Sequence, residues 1–327
     1  MVKHYGKRII ALCITTIALV WLFEGIEWEG VKNLGKNIEP WWLITGVGVY
    51  CLAYAARALR FQTLLPNHAI QFRDMAIITA IHNFAVRALP NPIGELAFLH
   101  ETKKKNVDYP SGIAALIVYR AFDFIVIALM LLGALIPLLN SSSESIEWFV
   151  ILTIAALLCG IGLIAAFSFP KSTDKIIKLG KLIPRVGQKI EEKLSRLTKA
   201  FKTLRERNVY EKTLFYSIGV WSAMFLSYIC FFKAFGVEFS IWAVVLGGTI
   251  QILVNTIPNI GGIGVMEAGW FAGLSLVGIP KEIALPAALG VDLITLAGTI
   301  LLGLLAITVQ YGSIKEFHKI EKQWQAS

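Results

Sequence analysis

The sequence predicts an all-α polytopic membrane protein with about six full transmembrane helices plus two re-entrant broken hairpins in an inverted repeat. Three observations predict it. Of 327 residues, 56% are hydrophobic and 16% charged, in long apolar runs separated by short polar stretches. Two runs are interrupted by proline and glycine and then carry a carboxylate, at Leu89-Pro-Asn-Pro-Ile-Gly-Glu95 and at Ile257-Pro-Asn-Ile-Gly-Gly-Ile-Gly-Val-Met-Glu267. The charge is also unevenly spread: within a net +9, residues 171–212 hold 13 Lys/Arg against 5 Asp/Glu. A basic cytoplasmic loop explains that bias, so no nucleic-acid partner is expected.

The first span is read at 9–23. Met1 to Phe23 has a basic start and an apolar run, but Glu24-Gly-Ile-Glu-Trp-Glu29 offers no small-residue cleavage site, so the segment is kept as a span. Lys3, Lys7 and Arg8 put the amino terminus inside. Trp28, Trp41 and Trp42 suit an interface belt before the second span at 41–64, whose inner end carries Arg57 and Arg60. The interrupted run at 75–100 lies between Arg73 and Lys103-Lys-Lys105, which both favour the cytoplasm, so a hairpin entering and leaving from inside is expected. A third span at 110–139 leads to an outer loop without Lys or Arg, and residues 148–169 cross back.

The basic segment 171–212 repeats apolar residues from Ile183 to Leu204 at steps of three or four, an amphipathic helix that either covers the bundle or lies on headgroups. Spans at 213–235 and 283–310 flank the second broken run, and Lys315, Lys319 and Lys322 put the carboxyl terminus inside. One transmembrane domain, 1–327, thus divides into repeats at 1–140 and 147–312. Pro90 precedes Asp123 by 33 residues and Pro258 precedes Asp292 by 34, which matches the halves. The expected location is the cytoplasmic (plasma) membrane, with both termini cytoplasmic.

Charges inside the spans mark a candidate site. Each costs about 2.5–3.5 kcal/mol at the helix centre and so should be paired or functional. Arg120 and Asp123 share a face three residues apart, leaving an Arg120–Asp123 pair, an Arg120–glutamate pair or ligand contact open. Asp292, Thr295 and Thr299 form a second polar stripe, Gln251 and Asn255 share a face before the second break, and His82, Asn83 and Arg87 precede the first. Gly94 and Glu95 follow the first break, while Gly261, Gly262, Gly264 and Glu267 occupy the second. Helix starts there would offer free amides to an anion, or the two glutamates would cap their own helices. Arg57 and Arg60 are either a first phosphate contact or ordinary positive-inside residues.

Cys13, Cys51, Cys159 and Cys230 sit inside apolar runs, and His4, His68, His82, His100 and His318 are dispersed. Neither a disulfide framework, a metal nor a cofactor is expected.

The chain resembles the lysylphosphatidylglycerol synthase transmembrane-region family, or flippase-like domain family, an uncharacterised membrane protein family in many of its members. The resemblance rests on Arg57-Ala-Leu-Arg60, Gly94-Glu-Leu96, Tyr119-Arg-Ala-Phe-Asp123 and Pro258 through Glu267. It implies re-entrant segments and movement of lipids or lipid-linked precursors between leaflets. Bifunctional members carry a soluble aminoacyl-transferase domain after the membrane part; this sequence ends at Ser327, so lysyl transfer is not expected. Met266 stands where an arginine is usual.

The expected function is therefore a lipid translocase of flippase or scramblase type, with membrane lipids or polyprenyl-phosphate lipids as partners and self-association left open. Arg57, Arg60, Arg87, Glu95, Arg120, Asp123, Asn255, Glu267 and Asp292 are the expected substrate-binding residues, with backbone at Gly94, Gly261, Gly262 and Gly264. There is no Gly-x-x-x-x-Gly-Lys-Ser/Thr loop, so no ATPase is expected. Alternatives are a secondary transporter of a small soluble solute, an enzyme acting on lipid, and a membrane assembly factor without transport.

Overall fold

The computed structural model describes residues 38–89, 93–136, 145–168, 187–206, 208–255 and 264–312. The expected first span, the centres of both breaks with Gly261 and Gly262, and residues 171–186 lie outside them. The described secondary structure is helical: α1 Pro40–Thr63, α2 Phe72–Ala88, α3 Ile93–Lys103, α4 Tyr109–Leu135, α5 Ser145–Ser168, α6 Gly187–Glu206, α7 Val209–Ala234, α8 Ile241–Val254, α9 Val265–Ser275 and α10 Lys281–Tyr311. Among the described residues, α1, α4, α7 and α10 are long and apolar enough to cross a membrane. Their bounds fall within about four residues of those expected from apolar run length. The apolar stretch described in α5 is the shorter Thr153–Gly162.

Local chemistry sets the ends. Pro40 occupies the first turn of α1, where a missing N–H costs nothing. Ser240 Oγ accepts from the Ala243 amide at 3.1 Å to open α8, and Gly312, at φ 72°, closes α10. The Glu39 amide donates to the Ala234 carbonyl at 2.8 Å, placing the start of α1 beside the end of α7, and these two helices pack along their length.

The two short pairs α2/α3 and α8/α9 each pack on themselves and against the long helices: α2 on α1 and α10, α8 on α4, and α9 on α10. Glycine permits both close approaches. A Cβ at Gly94 would stand 2.5 Å from Val86 Cα, and one at Gly269 would stand 2.6 Å from Gln251 Cα. At the open end of the first pair, Lys105 Nζ donates to Asp74 Oδ2 at 2.7 Å.

Among the described residues a small apolar cluster lies where α4 meets α8, and two larger ones hold the bundle. One joins α1, α7, α9 and α10 through Tyr54, Phe225, Phe231, Trp270 and Val291. The other lies at the α1/α2 turn, around Phe61, Leu65, Met75, Phe98 and Val118. Phe201 and Leu204 of α6 are buried in this second cluster, with Leu197 and Ala200 against it, so the described half of the amphipathic helix covers the bundle.

Gly94→Ala and Gly269→Ala should each destabilise the protein by about 1–3 kcal/mol, because backbone cannot yield to the added methyl. Gly48, whose Cβ would meet nothing within 4 Å, serves as control. Thermal unfolding in detergent should show a lower midpoint for the first two and none for Gly48→Ala.

Candidate functional site

A cavity of about 460 Å³ opens among α1, α2, α3, α4, α7, α8, α9 and α10. From α1, Tyr50, Tyr54, Arg57 and Phe61 follow at helical steps and so reach it together. The Tyr50 hydroxyl meets Thr299 Oγ1 at 2.9 Å, and Tyr54 donates to the same oxygen at 3.2 Å. These contacts tie α1 to the polar stripe of α10. Trp221, Met224 and Tyr228 of α7 also line it.

Asp123 is taken by neighbours from other helices. Arg60 Nη1 donates to its Oδ1 at 2.5 Å and to Ser217 Oγ at 3.1 Å, and Trp221 Nε1 donates to the same Oδ1 at 2.8 Å. Arg60 is 2% exposed. It is thus a buried clamp across α1, α4 and α7, which corrects its reading as an ordinary residue at the inner end of a span.

Arg120 turns to Glu95 instead of Asp123. Its Nη2 donates to Glu95 Oε1, which also accepts from Tyr119 at 3.0 Å, while His82 Nε2 donates to Oε2 at 2.8 Å. The His82 ring stands edge-on to Phe61 and Phe98, with centroids at 5.6 and 5.5 Å, which fixes its direction. Of the two pairings left open by spacing, the glutamate pair is the one formed.

Two further arginines line the cavity differently. Arg57 Nη1 donates to Asn83 Oδ1 at 3.4 Å and lies over the Tyr54 ring at 5.6 Å. Arg87 Nη1 touches Met266 Sδ, so a guanidinium from α2 stands at the methionine of the second motif. Among the described residues neither has a carboxylate within 4.0 Å. The lining therefore holds Arg57, Arg60, Arg87 and Arg120 against Glu95 and Asp123, an excess of positive charge.

Asn255 also lines the cavity, whereas Glu267 and Asp292 lie behind it, 1% and 4% exposed. The Gly264 amide donates to Glu267 Oε2 at 2.6 Å, so this acid caps the start of α9. Gly264 adopts φ 82°, and Gly94 sits in the α2/α3 contact. The two motif glutamates thus differ: Glu95 faces the cavity and Glu267 its own helix. Tyr50, Tyr54, Trp221 and Tyr228 were absent from the expected site. Their signal was the helical register of Tyr50 and Tyr54 with Arg57.

A family described as "Lysylphosphatidylglycerol synthase TM region" matches residues 8–303, nearly the whole chain. Comparison with curated proteins and with solved structures returned no match.

Asp123→Ala would strand the buried Arg60 and should cost about 3–5 kcal/mol. Arg120 lines the open cavity, and its partner Glu95 keeps Tyr119 and His82, so Arg120→Ala should cost less than Asp123→Ala. Thermal unfolding of the two purified variants should place them in that order.

Proposed function

Because the chain belongs to the lysylphosphatidylglycerol synthase transmembrane-region family, which ties it to membrane lipids, we propose that it is a lipid translocase of flippase or scramblase type. It moves the headgroup of a phospholipid or lipid-linked precursor between leaflets through the cavity, while the chains stay in lipid. The observation that carries this is the excess of arginine in the lining, above all Arg57 and Arg87, which among the described residues have no carboxylate within 4.0 Å. A headgroup phosphate supplies the anion, and guanidinium groups bind it through paired N–H donors. Tyr50, Tyr54, Trp221 and Tyr228 give the rest of the headgroup hydroxyl and ring contacts.

The two short pairs are read as re-entrant hairpins of an inverted repeat, α1 to α4 matching α7 to α10. In support, Lys105 and Asp74 bring the end of α3 to the start of α2, and both pairs pack against long helices of the other half. Such an arrangement puts a binding site near the midplane. Exposed apolar residues such as Leu52, Leu129, Leu301 and Val309 suit contact with acyl chains. The reading is of a carrier without catalytic residues in the plasma membrane, both termini inside.

Each charge-assisted contact is worth about 1.5–3 kcal/mol, roughly ten- to hundredfold. In proteoliposomes, Arg57→Gln and Arg87→Gln should each slow transbilayer movement of fluorescent phosphatidylglycerol by at least about tenfold, and Arg57→Gln should keep the parent's thermal stability. Movement at the rate of protein-free vesicles, or variants as fast as the parent, would defeat the proposal. Uptake of soluble glycerophosphate in place of lipid would favour a solute carrier.

A further inference from the structure

The carboxylates that line the cavity are already matched. Glu95 is paired with Arg120 and held by His82 and Tyr119, and Asp123 is paired with Arg60 at 2.5 Å. Glu267 and Asp292, buried, stand outside the lining. The segments joining α2 to α3 and α8 to α9 contain no acidic residue. Among the described residues, then, the lining offers an incoming ammonium no carboxylate without a guanidinium of its own. Two of its rings are taken as well. Arg57 already lies over Tyr54 at 5.6 Å, and Arg60 and Arg120 lie over Tyr119 at 5.2 and 4.9 Å.

What the lining leaves open besides Arg57 and Arg87 is neutral. Gln251 of α8 is 1% exposed, and its Oε1 accepts no hydrogen bond among the described residues. Asn83 of α2 accepts from Arg57 Nη1 at 3.4 Å through Oδ1, while its Nδ2 finds no acceptor among them. Both side chains line the cavity. A buried amide atom left without a partner is costly, and a ligand that both donates and accepts relieves that cost. The hydroxyls of a polyol do both, donating to Gln251 Oε1 and accepting from Asn83 Nδ2. An ammonium only donates, and leaves the Asn83 amide unmet.

We propose that the cavity selects a phosphodiester headgroup ending in an uncharged polyol, glycerol or a sugar, and rejects headgroups that carry an ammonium. This rests on the reading of the cavity as a headgroup site. The phosphate meets Arg57 and Arg87, and the polyol meets Gln251 and Asn83. Selection works by exclusion as much as by contact. An ammonium is desolvated beside guanidinium groups that have taken its own phosphate, and no second anion is there to receive it. A headgroup without hydroxyls escapes that penalty but leaves both amides unpaired, which a site built for hydroxyls does not tolerate well. Gln251 is thus a specificity-determining residue that carries no charge.

Calorimetry of the full chain in detergent with dihexanoyl lipids reads the preference, and in the parent protein it needs no variant. Phosphatidylglycerol should bind at least about tenfold tighter than phosphatidylethanolamine, and roughly threefold tighter than phosphatidylethanol, which keeps the net charge but lacks the hydroxyls. Gln251→Leu should erase most of the second ratio and keep the first, whereas a residue that only supports the fold would move all the affinities together. A farnesyl phosphodiester of glucose in a parallel arm tells a lipid-linked sugar from a glycerol headgroup, and the tighter of the two names the source. Phosphatidylethanolamine or phosphatidylethanol bound as tightly as phosphatidylglycerol, a second ratio unchanged in Gln251→Leu, or binding of none of these lipids would overturn the proposal. Fluorescent forms of the same lipids in proteoliposomes separate the two readings. Selective binding without movement above protein-free vesicles would strike the translocase alone; phosphatidylethanolamine moved as fast as phosphatidylglycerol would strike the selectivity alone.

Discussion

A guanidinium buried in an apolar bundle must meet an anion or water, and the interior of this chain follows from how each of its arginines is met. Arg60 has Asp123, Ser217 and the packing of three helices around it. Arg120 has Glu95, itself held by His82 and Tyr119. Arg57 and Arg87 line the cavity and, among the described residues, have no carboxylate within 4.0 Å. The first two hold the wall together, and the last two line the cavity without such an anchor. In a low dielectric that difference separates structural charges from those left for a ligand.

The close approach of the short helices makes the cavity what it is. Gly94 lets α3 lie against the backbone of α2, and so brings Glu95 to His82 and to Arg120 of α4. Gly269 does the same for α9 on α8, putting Trp270 into the core and Glu267 behind the wall. The start of a buried helix leaves amides that must be satisfied, and the Gly264 to Glu267 contact settles one of them.

Much of this was legible in the sequence. Long apolar runs pointed to α1, α4, α7 and α10, since span length is a local property. Charges inside those runs pointed to the site, and seven of the nine expected side chains line the cavity. Partner choice was not legible. The spacing of Arg120 and Asp123 says that they share a face, but which helix stands opposite is a tertiary fact, and each took a partner from elsewhere. Likewise Glu95 and Glu267 sit in similar motifs, yet one has Arg120 beside it and the other its own helix start. The tyrosines of α1 read as ordinary span residues because aromatic side chains serve cores and cavities alike.

The central claim is that Arg57 and Arg87 are the arginines left for a headgroup phosphate. An experimental structure of the protein in nanodiscs of anionic phospholipid tests it most directly. The account predicts headgroup density in the cavity, its phosphate within hydrogen-bond reach of both guanidinium groups and its chains leading out between helices. Lipid density confined to the outer annulus, with Arg57 and Arg87 meeting only protein and water, would contradict it.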